Sequence, residues 1–202
     1  MLTKDFFYDE VSRPITDQIL RSIKSGQKDF DDYIFWPYEN IPILEGSRCV
    51  NWSFNVARVP GISKPDFWAS AGVNESFEPS LDITIVLRKG QHLKSTQLDY
   101  SELFGVVVHE LHHIAQNVEK VGHFFPRTPN RSKKMAYFTD PIETEAFDLG
   151  FKAQAHLSCE SYEQIVTTYL LQQQLSSEQI SLVARLWRDT DYAVLRKNIE
   201  EV

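Results

Sequence analysis

The segment from Asp99 to about Lys120 constrains the fold of this chain more than any other. Its apolar residues, Leu103, Phe104, Val106, Val107, Val108, Leu111, Ile114, Ala115 and Val118, recur at helical spacing and run nearly all the way round the axis. A helix patterned in this way is buried on most sides. Asp99-x-x-Glu102 supplies a capping box at its start. Yet the middle of the same helix carries His109, Glu110, His112 and His113. Burying such groups is costly unless something compensates, and a metal ion is the simplest compensation. The chain must therefore fold around a helix whose polar middle is enclosed and satisfied.

His109-Glu110-Leu111-His112-His113 fits H-E-x-x-H, in which two imidazoles one turn apart bind zinc and the Glu acts as general base. At about 100° per residue, His109 and His113 lie about 40° apart, and Glu110 lies about 100° round from His109. His112 lies on the other flank and could pair with His109 at i, i+3. The pairing of His109 with His113 is preferred, because only it leaves Glu110 in the base position.

A catalytic zinc takes three protein ligands and leaves a fourth position open. No further His follows His113 at H-x-x-G-x-x-H spacing, since the next residues are Ile-Ala-Gln-Asn-Val-Glu. A Glu on a following helix is the other common solution, and Glu143 and Glu145 compete for the role. They lie about 200° apart on a helix, so only one can face the ion. Glu145 shares its stripe with Asp148 and Lys152, a pattern that reads as solvated. Glu143 shares its stripe with Ala146, Phe147, Gly150 and Ala153, which let a helix approach closely. Asp140-Pro141-x-Glu143 is itself a capping box, which offers Glu143 a second use. Glu143 is favoured as the ligand, and Glu145 as a neighbour or surface residue.

These residues carry a resemblance. His109-Glu110-x-x-His113 followed by Glu143-x-x-Ala146 resembles the gluzincin metallopeptidases, above all the small intracellular groups in which Glu-x-x-Ala-Asp or Glu-x-x-Ala-Asn supplies the third ligand. The wider string Tyr137-x-x-Asp140-Pro141-x-Glu143-x-Glu145-Ala146 is similar to small metallopeptidases of bacteria and their phages. The likeness spans about residues 99 to 155. It implies a zincin-like fold, one catalytic Zn2+ and hydrolysis of peptide bonds in a protein or peptide substrate. Phe147 departs from it, standing where those families often have an Asp or Asn that orients the first ligand His. Asp148, one position on, is the available substitute.

In that chemistry the zinc, held by His109, His113 and Glu143, acidifies a water and polarises the scissile carbonyl. Glu110 takes the proton and passes it to the leaving amine. The developing oxyanion needs a donor. Tyr137 is the first candidate, with His123 and Arg127 behind it. By analogy with zincins, the strand at 82–88 borders the cleft and pairs with an extended peptide. The alternative reading is a catalytically silent zincin-fold protein, binding or regulatory, with a structural metal site. The intact Glu110 argues for the enzyme, because a structural site does not need it.

The remainder of the chain supplies the frame. Residues 1–45 read as an N-terminal wrap, with a helix at Ile15–Ile23 and an irregular aromatic stretch from Phe30 to Pro42. Residues 47–90 read as sheet. Cys49–Val59 alternates with period two, Phe67–Val73 is a second strand and Asp82–Arg88 the clearest one. Residues 99–202 form a helical half, with helices at about 141–156, 161–173 and 177–198 and capping boxes at Ser161-x-x-Gln164 and Ser176-x-x-Gln179. Strands first and helices after imply one α+β domain with a small antiparallel or mixed sheet. A net charge of −7 argues against nucleic acid as a partner. No run of 18 apolar residues is present to span a membrane. Cys49 and Cys159 read as reduced thiols, and the expected compartment is a cytoplasm, bacterial or that of a phage host. His92 and His156 have no motif around them.

Overall fold

The computed structural model describes residues 12–24, 39–44, 48–62, 64–73, 79–93, 96–119 and 134–188 of the 202. In chain order these hold α1 (Arg13–Lys24), β1 (Glu39–Leu44), β2 (Arg48–Val59), β3 (Asp66–Val73), β4 (Pro79–Arg88), α2 (Tyr100–Glu119), α3 (Lys134–Phe138), α4 (Pro141–Leu157), α5 (Tyr162–Gln172) and α6 (Ser177–Arg188). The class is α+β, as the order of patterns implies.

The strands form one mixed sheet in the order β1-β2-β4-β3. β1 and β2 pair antiparallel, β2 runs parallel to β4, and β3 returns antiparallel along β4. Period-two patterning sets the faces. Leu81, Ile83, Ile85 and Leu87 of β4 are fully buried, whereas Asp82 and Arg88 are exposed. On β3, Phe67, Ala69 and Ala71 turn to the same core and Trp68 turns out. Two expectations change here. The end of the anticipated aromatic wrap is strand β1, whose Pro42 sits at a register irregularity on the sheet edge, where a missing N–H is tolerated. The strand at 82–88 cannot take up an extended peptide, because β2 and β3 already occupy both of its sides.

One face of the sheet is covered by α1 and α2. Ile15 and Ile19 of α1 join Leu103, Val107, Leu111 and Ile114 of α2 over the strand residues. The Tyr100 hydroxyl donates to Asp17 (2.9 Å), tying α1 to the start of α2. Asp99 caps α2 by accepting from the Ser101 and Glu102 amides (2.8 and 3.3 Å). Glu102 faces Lys64 at 3.9 Å.

The helical half has its own core of Phe138, Phe147, Val166, Leu170, Val183 and Trp187. α3 falls between the expected helices at 99–120 and 141–156. It is a single turn whose Phe138 is held by the Trp187 indole donating to its carbonyl (3.0 Å). The capping boxes at Ser161/Gln164 and Ser176/Gln179 are both closed. α6 is described only to Arg188, so the expected extension to 198 lies outside the described residues.

Candidate metal centre

The site exists because α2 and α4 cross at unusually short range. A Cβ built on Gly105 would lie 2.8 Å from the Gly150 carbonyl oxygen, and one built on Gly150 would lie 2.8 Å from the Gly105 carbonyl oxygen and 3.1 Å from His109 Cβ. Any larger residue at either position forces the two helices apart. Beyond the crossing, His109 meets Phe147 and Glu143, His113 meets Glu143, and Gln116 meets Ile142 and Glu145. As α2 advances, α4 recedes, so the helices run antiparallel. Phe104, Val108 and Ala153 fill the seam on the far side of the crossing.

His109, His113 and Glu143 converge on one point. The Nε2 atoms of the two His lie 3.1 Å apart, and Glu143 Oε2 lies 3.6 Å from the first and 3.5 Å from the second. Zinc bonds of about 2.0–2.1 Å in tetrahedral arrangement put neighbouring ligand atoms about 3.3 Å apart. Every edge of the observed triangle is within a few tenths of an ångström of that value. Glu143 Oε2 is buried and accepts no hydrogen bond, although buried carboxylate oxygens ordinarily do. Two imidazoles and a carboxylate, with an orphaned oxygen aimed between them, fit a zinc ion.

The competing use of Glu143 is resolved. Asp140 caps α4 by accepting from the Ile142 amide (2.9 Å), while the Glu143 carboxylate faces the imidazoles. Burial pushes the Glu143 carboxyl up, but His109 and His113 outweigh burial and hold it at about 2. Burial pulls His113 down, but the facing Glu143 and then the Glu110 charge outweigh that and raise it. The carboxylate and the imidazoles thus favour one another's charged forms, a mutual attraction that a divalent cation would replace.

Glu110 is buried (8% exposed) and close enough for its charge to reach His113. Helix geometry puts it on the flank of the triangle nearer the sheet-facing residues Leu103 and Ile114. Glu145 lies outside the triangle. Its Oε2 accepts from Gln116 Nε2 (2.8 Å) and lies 3.3 Å from His112 Nε2. Gln116, which spacing alone did not single out, also lies 3.0 Å from His113 Nδ1 through its Oε1. Its position three residues after His113 was the available signal.

Phe147 takes the place of the expected orienting carboxylate by packing. Its ring meets His109 edge-on at 4.6 Å and stacks on Trp187 at 4.6 Å, so the aromatic core buttresses His109. Asp148 is no substitute and is not solvated. It is fully buried, bound to Lys152 Nζ at 2.6 Å, and it helps to raise the Tyr162 phenol, whose largest shift comes from burial. Tyr137 packs on Phe138 and on Phe147 (5.7 Å), one ring removed from His109. His123 and Arg127 lie outside the described residues. His92, His156 and Cys159 are exposed and apart from the cluster. Among the described residues no helix is long and apolar enough to cross a membrane.

No protein-family model, curated protein or solved structure matches this chain.

Proposed function

We propose that this chain is a zinc-dependent metallopeptidase of zincin-like type, hydrolysing peptide bonds in a protein or peptide substrate. The observation that carries the reading is the triangle of His109 Nε2, His113 Nε2 and Glu143 Oε2, with edges of 3.1, 3.5 and 3.6 Å, built on two helices that only glycines allow to meet. These three residues hold the ion, which when bound supplies a Lewis acid that polarises the scissile carbonyl and acidifies the attacking water. Glu110 accepts the proton released by that water and returns it to the leaving amine. Its burial keeps the carboxylate out of bulk solvent, where it stays in position for the transfer. Phe147 and the aromatic core hold His109 in place during the reaction. Tyr137 is the residue we assign to the oxyanion.

A structural metal site would need the three ligands but not a buried carboxylate next to them. Glu110→Gln separates the two cases. The variant is expected to keep zinc and lose peptide cleavage by about 100-fold or more, the order of a removed general base. Cleavage at the wild-type rate in that variant would remove Glu110 from the mechanism.

A further inference from the structure

Beyond the three ligands, one polar chain is tied down at every link, and it runs from Glu145 through Gln116 to His113. Gln116 is buried (9% exposed). Its Oε1 lies 3.0 Å from His113 Nδ1, and its Nε2 donates to Glu145 Oε2 (2.8 Å) and to the Ile142 carbonyl (3.3 Å). A glutamine amide has one accepting and one donating end of nearly the same shape, so its partners decide which end points where. The Ile142 carbonyl and the ionised Glu145 carboxylate can only accept. Turned over, the amide would press its oxygen against both. The amide is therefore held with Oε1 toward His113. That oxygen only accepts, so the hydrogen between them belongs to His113 Nδ1. A neutral imidazole has a single N–H, which leaves the lone pair on Nε2. Nε2 is the atom that faces His109 and Glu143.

We propose that Gln116 is a positioning residue that fixes His113 as the Nδ1–H tautomer with Nε2 open to a metal, and that Glu145 sets the Gln116 amide from the neighbouring helix. The proposal rests on the metal reading above and deepens it. It gives the pair Glu143 and Glu145 separate roles on one turn of α4. The first completes the triangle, and the second locks the group that orients one corner of it. Ligand imidazoles commonly donate their outer N–H to a carboxylate or carbonyl, and here an amide transmits that carboxylate's influence.

The test uses the full chain, stripped of metal and then titrated with zinc alone. Nitrogen-15 NMR of the imidazoles, at a pH where His113 is neutral, reports which ring nitrogen carries the hydrogen. The wild type is expected to hold His113 as the Nδ1–H form. Gln116→Met keeps the length and removes both polar ends. It is expected to lose that preference and to bind zinc about 10–100-fold more weakly. Gln116→Glu combined with Glu145→Gln restores an acceptor toward His113 and a donor at 145 but sets a carboxylate oxygen beside the Ile142 carbonyl, so it is expected to return the Nδ1–H form while recovering only part of the zinc affinity. An Nε2–H form in the wild type overturns the proposal, as does Gln116→Met with unchanged tautomer and unchanged affinity. If Gln116→Met does not fold, the wild-type tautomer and the paired exchange decide. Wild-type protein that takes up no zinc overturns the metal reading instead, and the tautomer, read without metal, still decides for or against Gln116.

Discussion

Gly150→Ala is the substitution on which the geometry makes its sharpest demand. The added methyl would sit 2.8 Å from the Gly105 carbonyl oxygen and 3.1 Å from His109 Cβ. Carbon and oxygen in contact settle at about 3.3 Å or more, so α4 has to withdraw by about half an ångström. Neither obstacle is the free end of a side chain. Overpacking of this kind costs about 1–3 kcal/mol, and the gain in helix propensity over glycine returns about 1 kcal/mol. The net loss of stability is therefore small, about 0–2 kcal/mol. The metal site tolerates far less. Glu143 lies seven residues back on the same helix, about 10 Å from the crossing, and metal ligands are held to within about 0.2 Å. Urea unfolding in the presence of chelator measures the first effect, and competition with a chromophoric chelator measures the second. Zinc affinity is expected to fall by at least about tenfold, out of proportion to the change in unfolding midpoint. Gly72→Ala, where an added Cβ meets nothing within 4 Å, is the control and should leave affinity untouched. Gly150→Ala with undiminished zinc affinity and higher stability would refute the argument that this crossing builds the site.

Other outcomes follow from the same contacts. Phe147→Leu removes the ring between His109 and Trp187 and should cost about 1–3 kcal/mol in urea unfolding as well as weakening zinc binding. Asp148→Asn disturbs the half-buried pair with Lys152 and should lower stability while leaving zinc affinity within about twofold, because Asp148 does not serve His109. Tyr137→Phe should lower kcat by about tenfold or more with zinc content unchanged, and unchanged kcat would reassign the oxyanion donor. In metal-free protein, Glu143 stabilises the fold above its ordinary value of 4.5 and loses that contribution as pH falls toward about 2. His113 contributes below its ordinary value of 6.5 and loses that contribution as pH rises through its raised folded value. Unfolding midpoints of metal-free protein should therefore be lower on both sides of that window. Zinc takes the place of the proton, so saturation with zinc should remove the alkaline decline.

The convergence of His109, His113 and Glu143 was legible because helical spacing is a strong code. His109 and His113 share a face at i, i+4, and the small-residue stripe through Gly150 distinguished Glu143 from Glu145. The same stripe logic failed for Asp148. A carboxylate four residues before a Lys reads as a surface pair, whereas the fold leaves Asp148 with no exposed surface. The outer support was hidden for a different reason. Phe147 orients His109 through ring packing against Trp187, forty residues away, and no local pattern encodes that contact. Gln116 was within reach at i+3 from His113, but the polarity of its amide depends on Glu145 and Ile142 of another helix. The sheet was read strand by strand, while its order was not. Nothing in Asp82–Arg88 reveals that β3 folds back outside it and makes it a central strand.

The central claim is that His109, His113 and Glu143 hold one zinc ion. Metal analysis of the purified protein beside its His113→Ala variant tests this most directly. One equivalent of zinc per chain is expected in the wild type, and loss of most of it in the variant. Less than about half an equivalent in the wild type, with no further loss in His113→Ala, would contradict it.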